Sequence, residues 1–353
     1  MPDDLKRIRE QIDALDARLV KLLSSRARLA QRIGALKRGP IYRPEREAQV
    51  LDRVRSLNPG PLSNVAITRL YAEIMSACRA LEDHMTVAYL GPPGTFSQEA
   101  VVKHFGGLTA TRPAASIDEV FRDVETGAAG YAVVPVENST EGAVGRTLDL
   151  LLTTAAKVCG EVNLPVRQCL MAKDKRRERI RRVYSHTQSL AQCQRWLARH
   201  LPSVETVAVV SNAEAARRAA KERYTAAIAA RTAATLYGLN VLARNIEDEP
   251  RNTTRFLVLS EHDAAPSGRD KTSLILSTRN VPGAMHDLLT PLAENQVSMT
   301  RLESRPARTG LWEYVFYVDI EGHQQDANVA RALAELERRA SFLKNLGSYP
   351  ATV

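Results

Sequence analysis

An arginine interrupts an otherwise apolar helical pattern near the start of the chain. Apolar side chains recur at steps of three and four residues between positions 5 and 36, and Arg26 occupies one of these seam positions. Desolvating an unpaired guanidinium costs several kcal/mol, so a buried seam requires an anion beside Arg26. Lys37 follows eleven residues later, about 20° around a helix and about 16 Å along it. Two cations at this spacing leave room for a small dicarboxylate.

Further charged residues occur at or beside seam positions in two later helical stretches. Arg46 and Glu47 lie near the start of the second stretch, and Glu82 follows the seam residue Leu81 at the end of the third. One interpretation is that each side chain lays its stem on apolar surface and keeps its charge in water. The alternative is a polar site for an anionic ligand, which five such groups on three helices favour.

In the middle of the chain, polar turns follow short apolar strands. The turn Gly91–Gly94 follows the strand Thr86–Leu90, and Glu137-Asn138-Ser139 ends a strand that starts at Tyr131. The first turn has neither a G-x-G-x-x-G pattern nor a lysine after its last glycine, so it is not a nucleotide-binding loop. Ligands of open α/β sheets bind outside the carboxyl ends of the strands. We therefore expect both turns to face one cleft, with helix N-termini suited to an anion.

The first group of residues is positioned by helices. Residues 1–85 predict a first helix of about 33 residues and about 50 Å, a second that Pro44 opens, and a third from about Leu62 to Glu82. The long first helix cannot bury its seam within one chain. The pattern therefore predicts an all-α domain that forms an intertwined dimer.

Two further segments have different patterns. Residues 86–265 alternate short apolar strands with helices, which is typical of an α/β domain. Residues 271–350 follow the order strand, helix, strand, strand, helix, strand, which predicts a ferredoxin-like α+β domain. The stretch 262–268 between them has the composition of a linker.

Composition limits the function classes. Of the 353 residues, 44% are hydrophobic and 25% charged, as in a globular protein of several domains. Neither an export signal nor a membrane-spanning stretch is predicted, and we expect a soluble, cytoplasmic protein. The four cysteines fit neither a disulfide framework nor a zinc site, so no metal is expected. Residues 1–85 carry +5 of the net charge of +9, which suggests nucleic acid or a small acid as partner.

The helical segment resembles the helical chorismate mutase family, in the form found at the start of bifunctional chorismate mutase/prephenate dehydratases. The resemblance rests on Arg9 to Asp16, Arg26, Lys37, Pro44 to Glu47 and Ser76 to Glu82. It implies that Arg26, and Arg9 from the other chain of a dimer, hold the substrate carboxylates. It also implies that Lys37 faces the ether oxygen and a carboxylate, that Glu47 faces the ring hydroxyl, and that Arg46 supports the site.

The chemistry of such a mutase fits these residues. A Claisen rearrangement needs no nucleophile, metal or cofactor, only a folded substrate and fixed donors to the ether oxygen. The resemblance puts Glu82 where family members carry Gln or Glu as the second donor, and a carboxyl group donates only when protonated. We expect mutase activity to fall as the pH rises and Glu82→Gln to flatten that profile. Arg43 and Cys78 replace an acid and a hydroxyl of some members, which leaves a weakened mutase as an alternative.

Residues 86–262 are similar to the prephenate dehydratase family. The resemblance rests on Gly91 to Thr95, Glu137 to Gly142, Ser185 to Gln192 and Asn252 to Phe256. It implies two subdomains, built like a periplasmic binding protein, with the active site in the cleft. Thr254 would be essential to the elimination, and Asn138, Ser185 and Gln192 would line the site. Further candidates for binding substrate are Thr95, Ser97, Ser139 and Arg255, although Arg255 could instead be structural.

The elimination needs a group that assists a departing hydroxyl. Prephenate loses CO2 and its ring hydroxyl to give phenylpyruvate, and Thr254 could donate a proton or relay one from water. Histidine is the side chain most often used as a general acid, which makes His186 a candidate. The resemblance gives His186 no catalytic role, so a partnered structural histidine is the alternative.

The last segment resembles the ACT regulatory domain of prephenate dehydratases. The resemblance rests on Asn280 to Met285 and Leu302 to Pro306. It implies a phenylalanine pocket between paired domains, formed by Gly283, Ala284, Met285, Glu303, Ser304, Arg305 and Pro306. The Met285-His286 pair departs from the smaller aliphatic pair common in the family, and Glu303 with Arg305 could instead form a surface ion pair. Phenylalanine should inhibit the dehydratase but hardly the mutase, because Thr86 begins a separate domain.

A protein of another class would share much of this pattern. A non-catalytic amino-acid sensor could combine the cleft and the ACT domain, with the basic helices as a dimerisation or nucleic-acid-binding arm. Arg26 in the seam and acidic residues between the basic ones argue against that arm. We therefore predict an enzyme that acts on chorismate and prephenate, forms a homodimer or higher homo-oligomer, and binds neither nucleic acid nor membrane.

Overall fold

The computed structural model describes residues 2–36, 39–82, 85–279, 281–307 and 314–352. In chain order the helices and strands are α1 (Pro2–Leu36), α2 (Pro44–Ser56), α3 (Asn64–Arg79), β1 (Thr86–Leu90), α4 (Phe96–Phe105), β2 (Ala110–Ala114), α5 (Ile117–Glu125), β3 (Tyr131–Asn138), β4 (Gly142–Ala143), α6 (Gly145–Thr153), β5 (Lys157–Pro165), β6 (Cys169–Ala172), β7 (Arg182–Ser185), α7 (Thr187–Gln192), α8 (Gln194–His200), β8 (Glu205–Ala208), α9 (Asn212–Lys221), β9 (Thr225–Ala229), α10 (Arg231–Tyr237), β10 (Asn240–Arg244), β11 (Thr253–Ser260), β12 (Asp270–Ser277), α11 (Ala284–Glu294), β13 (Met299–Pro306), β14 (Tyr314–Glu321), α12 (Ala327–Arg339) and β15 (Phe342–Pro350).

The helical domain, α1 to α3, leaves the apolar seam of α1 uncovered. Pro44 opens α2, where its missing N–H costs no helical hydrogen bond. Ser63 Oγ accepts from the backbone N–H of Ala66 at 3.2 Å and so caps α3. On α1, Leu15 is 59% exposed and Leu22 67%. A single chain therefore presents a long apolar stripe to its surroundings.

The α/β domain has two lobes, each built on its own sheet. The sheet of lobe 1 has the strand order β2-β1-β3-β11-β5, with β4 beside β3, and the sheet of lobe 2 has the order β10-β6-β9-β7-β8. In lobe 2, α9 buries Ala215, Ala216 and Ala219 completely. Such small side chains allow the helix to approach the sheet closely. The antiparallel strand β11 returns the chain to lobe 1 between β3 and β5.

Two crossing segments, residues 166–168 and 245–252, connect the lobes. The backbone N–H of Val166 donates to the carbonyl of Asn252 at 2.8 Å. The backbone N–H of Gln168 donates to the carboxylate of Glu247 at 2.9 Å. The crossing segments are therefore hydrogen-bonded to each other where they pass between the lobes.

The C-terminal domain packs one face of its sheet against lobe 1. Its strand order is β13-β14-β12-β15, and α11 and α12 cover the other face. Ile275 and Tyr317 share a core cluster with Leu257 of lobe 1. At Gly347 (φ +132°), a Cβ atom would lie 2.5 Å from the carbonyl oxygen of Val158. Only glycine fits this contact between β15 and β5.

The predicted fold class is confirmed: an all-α segment, a two-lobed α/β domain and a βαββαβ domain follow in order. The third helix is shorter than predicted, since it begins at Asn64 and ends at Arg79. The sequence did not predict strands β2, β4, β5, β6 and β10. Strand β2 is an edge strand that contains Pro113, and β5 contains Gly160 and the buried Glu161, so neither has a regular apolar alternation.

The described ranges contain neither a candidate membrane span nor a candidate metal cluster. No helix within them is both long and apolar enough to cross a membrane. Within the same ranges, no three His, Cys, Asp or Glu side chains are grouped so that they could hold a metal ion.

Candidate active sites

In lobe 1, Asn138 at the end of β3 lies opposite Thr254 of β11. Asn138 Nδ2 donates to Thr254 Oγ1 at 2.8 Å. Asn138 Oδ1 accepts from the backbone N–H groups of Thr140 and Glu141 at 3.0 and 3.1 Å, which hold the amide in this orientation. Because Thr254 accepts the bond from Asn138, its own hydroxyl proton stays available to a ligand.

Two buried amides near this pair have unused hydrogen-bonding atoms. Asn252 is 2% exposed, and its Oδ1 accepts from Asn138 Nδ2 at 2.8 Å. Asn252 Nδ2 and Gln168 Oε1 are buried without a hydrogen-bond partner among the described residues. Leaving such an atom unsatisfied costs about 1–3 kcal/mol, a cost that a ligand would relieve. Gln168 Nε2 is engaged, since it donates to Ser189 Oγ at 2.9 Å.

A cavity of about 380 Å³ lies between the lobes. Thr140 and Asn252 line it from one side, and Gln192 and Arg195 line it from lobe 2. Thr254 does not line the cavity in this conformation. The cavity therefore brings Gln192 to the same space as Asn252, whose amide is in turn bonded to Asn138.

Four acidic residues line the cavity, and three of them, Glu247, Asp248 and Glu249, are already engaged within the protein. Glu247 pairs with Arg167 at 2.9 Å, and Glu249 pairs with Arg195 at 3.0 Å. Asp248 accepts from the backbone N–H of Arg195 at 2.8 Å, at the start of α8. These contacts offset the negative charge that an anionic substrate would otherwise meet there.

Ser185 and His186 lie at the end of β7 with partners inside lobe 2. Ser185 is fully buried, and its Oγ contacts the carbonyl of Ile228 at 2.7 Å and Asn212 Oδ1 at 2.9 Å. His186 Nδ1 accepts from the backbone N–H of Gln188 at 3.4 Å. Ser185 was expected to line the site, but in this structure it holds Asn212 instead. The contact of His186 agrees with the structural alternative.

Two of the hydroxyls expected to bind substrate, those of Thr95 and Ser139, have backbone partners. Thr95, the N-cap residue of α4, donates from Oγ1 to the carbonyl of Leu90 at 3.1 Å. Ser97 is buried in the first turn of α4. Ser139 Oγ accepts from the backbone N–H of Thr253 at 3.0 Å. The N-terminal turn of α4 nevertheless lies beside lobe 2.

The turn before α4 closes one side of the cleft against lobe 2. Tyr237 Oη donates to the carbonyl of Pro93 at 3.0 Å, and Thr232 Oγ1 donates to Glu99 Oε1 at 2.8 Å. Gly94 has φ +93°, and a Cβ atom there would lie 3.3 Å from the Tyr237 ring. Both turns predicted from the sequence therefore end neighbouring parallel strands, β1 and β3, on the lobe 2 side.

Arg255 does not point into the cleft with Thr254. Successive side chains of a strand point to opposite faces. The Arg255 guanidinium donates to Glu161 Oε2 at 2.9 Å, Asp319 Oδ2 at 2.5 Å and Tyr349 Oη at 2.9 Å. Its expected place in the substrate site is thus corrected to the structural alternative, at the contact between lobe 1 and the C-terminal domain.

In the helical domain, the described residues place part of the expected mutase site. Arg26 Nη1 donates to Cys78 Sγ at 2.9 Å and joins α1 to α3. Glu82 lies against Gly34 of α1, where a Cβ atom would be 3.1 Å from the Glu82 Cβ. Lys37 lies outside the described residues. Arg9 is exposed on α1, about 26 Å along the helix from Arg26, so the two cannot meet within one chain.

Glu47 forms a buried ion pair with Arg79 of α3, whereas Arg46 beside it is exposed. The side chains of Glu47 and Arg79 are 18% and 8% exposed. Arg79 also donates to the carbonyl of Phe105 at the end of α4. The carboxylate expected to face the chorismate hydroxyl is thus held by a cation that is itself anchored on lobe 1.

The expected effector residues occupy two places in the C-terminal domain. Gly283 (φ +81°) precedes α11, and Ala284 and Met285 form its first turn. The stretch from Glu303 to Pro306 belongs to β13 and includes Ser304 and Arg305. Arg305 lies against lobe 1, with Nη2 3.4 Å from Asp149 Oδ1. Asn280 lies outside the described residues.

Sequence reasoning assigned no role to several polar residues that the structure brings together. Asn252 stands two residues before Thr254 in the same motif, which was an available signal. Ser189 lies within the stretch Ser185 to Gln192 and had a similar signal, whereas Gln168 and Asn212 gave none. The three side chains meet because the start of β6, helix α7 and the start of α9 converge on one edge of lobe 2.

Three protein families match the chain in the order of its structural parts. The models of chorismate mutase type II, prephenate dehydratase and the ACT domain match residues 8–83, 87–264 and 272–338. Together with the two-lobed fold and the Asn138–Thr254 pair, they define an ACT-containing prephenate dehydratase with a chorismate mutase domain before it.

The relatives give the more particular assignment. The bifunctional chorismate mutase/prephenate dehydratase of Neisseria gonorrhoeae is 53% identical, over 98% of this chain and 96% of that protein. The protein of the same name from Stutzerimonas stutzeri is 51% identical, over 99% of each. The chain belongs to the family of bifunctional chorismate mutase/prephenate dehydratases.

A solved prephenate dehydratase structure resembles most of the chain. The prephenate dehydratase of Arthrobacter aurescens in complex with L-Phe superposes with a TM-score of 0.70 and 34% identity. The match covers 76% of this chain and 90% of that one.

Proposed function

We propose that the chain converts chorismate to prephenate in its helical domain and prephenate to phenylpyruvate in its two-lobed domain, as a bifunctional enzyme of phenylalanine biosynthesis. The observation that carries the dehydratase activity is the hydrogen bond from Asn138 to Thr254, beside the unsatisfied amide of Asn252. Membership of the bifunctional family supports both activities.

In the dehydratase step, the protein must assist the loss of two groups from one ring. The bond between the ring and its carboxylate breaks and releases CO2, and its electrons form a ring double bond. The bond from the ring to the hydroxyl breaks, and the departing hydroxide takes a proton to become water. Thr254, held by Asn138, delivers that proton, either its own or one relayed from water. The free donor of Asn252 and the side chain of Gln192 bind the substrate in the cleft.

In the mutase step, the helices hold a dianion in a folded conformer. Arg26 binds one carboxylate, and Arg9 of a second copy binds the other. Lys37 and Glu82 are the donors to the ether oxygen. Glu47, with Arg46 beside it, binds the ring hydroxyl. Its ion pair with Arg79 holds the Glu47 carboxylate in position.

We also infer a homodimer or larger homo-oligomer. The apolar stripe of α1 is exposed in one chain. A second copy would cover it and would bring its Arg9 to the site at Arg26. A cytoplasmic location stays a prediction from the sequence.

Regulation by phenylalanine is the remaining part of the proposal. The related dehydratase of Arthrobacter aurescens was solved in complex with L-Phe, and this chain has an ACT domain. Gly283, Ala284 and Met285 on α11 and the stretch from Glu303 to Pro306 on β13 would form the pocket between two ACT domains. The bound effector would then lower the dehydratase activity.

Two assays on the purified chain test this function. Chorismate consumption and phenylpyruvate formation are measured with and without phenylalanine. Thr254→Ala should lower dehydratase kcat by about 10²–10⁴-fold and leave the mutase unchanged. Thr253→Ala is the matched control, since Thr253 Oγ1 donates to the backbone carbonyl of Arg251 at 3.2 Å. Near-normal dehydratase turnover in Thr254→Ala, together with its loss in His186→Asn, would reverse the assignment.

A further inference from the structure

Four charged residues form a quartet where lobe 1 meets the ACT domain. Glu137 of β3 and Arg255 of β11 are direct cross-strand partners in the sheet of lobe 1. Arg301 of β13 and Asp319 of β14 are direct cross-strand partners in the ACT sheet. Arg301 Nε donates to Glu137 Oε2 at 2.7 Å, and Arg255 Nη1 donates to Asp319 Oδ2 at 2.5 Å. Each sheet therefore contributes one cation and one anion, and both ion pairs cross the interface.

Further polar groups form hydrogen bonds to Arg255 and Asp319, the buried ion pair of the quartet. The side chains of Arg255 and Asp319 are 14% and 7% exposed. Tyr349 Oη accepts from Arg255 at 2.9 Å, and Ser273 Oγ donates to Asp319 Oδ1 at 2.6 Å. Glu161 Oε2 accepts from Arg255 Nε at 2.9 Å. Because the guanidinium is shared between lobe 1 and the ACT domain, β11 cannot shift relative to the ACT sheet without breaking charged hydrogen bonds.

Two members of the quartet, Glu137 and Arg255, are the chain neighbours of Asn138 and Thr254 on strands β3 and β11. Asn138 and Thr254 face the cleft, while Glu137 and Arg255, their chain neighbours, face the ACT domain. The two pairs are also cross-strand partners in the same register. Consecutive residues of a strand are about 3.3 Å apart. A displacement of β11 against β3 by a fraction of that distance would break the 2.8 Å bond from Asn138 to Thr254.

The expected effector stretch is on the strand that carries Arg301. Arg305 is four residues from Arg301 on β13, so both side chains leave the same face of the strand. Both contact lobe 1, Arg301 at Glu137 and Arg305 at Asp149 of α6. A ligand that draws Arg305 away from Asp149 would therefore move the strand that holds Glu137.

We propose that Glu137 and Arg255 are positioning residues of the dehydratase, and that the ion pairs to Arg301 and Asp319 couple occupancy of the ACT domain to the Asn138–Thr254 bond. This inference rests on the proposed dehydratase activity and its inhibition by phenylalanine. It names the contacts through which the effector acts on the reaction.

The test uses the full-length chain and variants of the more exposed ion pair, Arg301 with Glu137. Arg301→Gln removes the partner of Glu137 from the ACT side. We expect the phenylalanine concentration for half-inhibition of the dehydratase to rise by about tenfold or more, within the usual range of allosteric coupling. Phenylalanine affinity measured by calorimetry should change much less, and mutase kinetics should stay unchanged. Arg338→Gln, an exposed arginine on α12 of the same domain, is the matched control.

A double-mutant cycle separates coupling from a general loss of packing. If Glu137 and Arg301 act as a pair, Glu137→Gln combined with Arg301→Gln should impair inhibition no more than either change alone. Arg301→Lys keeps the charge and serves as a variant that folds if Arg301→Gln does not; it should retain part of the coupling. For Arg255→Lys, we expect a lower dehydratase kcat with little change in KM.

Three results would overturn the inference. The first is unchanged inhibition in both Arg301→Gln and Arg301→Lys. The second is a loss of phenylalanine binding that accounts for the whole effect, and the third is strictly additive behaviour in the cycle. Failure of the proposed function itself looks different, because the wild-type chain would then show no dehydratase activity or no inhibition by phenylalanine.

Discussion

The hydroxyl of Tyr42 lies 2.6 Å from His104 Nε2, and this hydrogen bond joins the connection between α1 and α2 to lobe 1 of the dehydratase domain. Tyr42 is only 3% exposed, and its ring packs on the rings of Phe105 and Tyr131 at 4.8 and 5.2 Å between centroids. The sequence places a domain boundary at Thr86, but the packing of the chain crosses that boundary.

Removing the Tyr42 ring should destabilise both parts of the protein. Tyr42→Ala empties a buried aromatic site, and we expect it to lower the free energy of unfolding by about 3–5 kcal/mol. Tyr42→Phe removes only the hydrogen bond to His104 and should cost about 1 kcal/mol. Urea unfolding curves of the two variants provide the measurement. If both variants cost about 1 kcal/mol or less, Tyr42 is not part of the core of lobe 1.

His104 should make the stability of the protein fall in mild acid. Burial, with smaller contributions from the cations Arg79 and Lys103, lowers the pKa of His104 to about 3. Its ordinary value is about 6.5. Between pH 6.5 and pH 3, His104 is protonated in the unfolded chain but stays neutral in the folded chain. This contribution to stability is therefore complete above pH 6.5 and is lost progressively as the pH falls toward 3.

The measurement is the urea midpoint at pH 7.5 and at pH 5. The wild type should lose stability between them, and His104→Gln should lose less. His286→Gln is the control. Because the His286 side chain is 85% exposed, this substitution should leave the difference in urea midpoint between pH 7.5 and pH 5 unchanged. An equal loss of urea midpoint between pH 7.5 and pH 5 in wild type and His104→Gln would contradict the prediction.

The mutase should be pH-dependent through Glu82. As a donor to the ether oxygen, Glu82 acts only when its carboxyl is protonated. Glu82→Gln supplies a donor at every pH, so it should flatten the fall in mutase kcat as the pH rises. The profile of chorismate consumption checks this, with Asp52→Asn on the exposed face of α2 as control. An identical profile in wild type and Glu82→Gln would remove Glu82 from the mechanism.

The unsatisfied amide donor of Asn252 should contribute to prephenate binding. Asn252→Asp keeps the oxygen that accepts from Asn138 but replaces the donor with a second oxygen, which repels an anion. We expect dehydratase kcat/KM to fall by about 10–100-fold, the worth of one hydrogen bond to a charged group. Asn240→Asp is the control, since the Asn240 amide donates to the carbonyl of Lys173 at 2.8 Å, away from the cavity. Equal kinetics in both variants would exclude Asn252 from binding substrate.

The order of the parts could be predicted from the sequence alone, and so could several of the candidate site residues. The seam of α1 and the strand-turn-helix units are local patterns of hydrophobicity with a fixed period, and such patterns determine secondary structure within a few residues. Asn138 and Thr254 stand in motifs whose residues are adjacent in the chain, so no contact had to be known to select them.

The partners of those residues were decided by the tertiary structure. Asn138 and Thr254 are 116 positions apart in the sequence, and Arg255 and Asp319 are 64 positions apart. The sequence placed Arg255 with its neighbour Thr254 in the substrate site, whereas the alternation of strand β11 turns it toward the ACT domain. Gln168 and Tyr42 likewise acquire their surroundings from distant elements. A local pattern sets the face on which a side chain lies, but the group that meets it there depends on how the sheets pack.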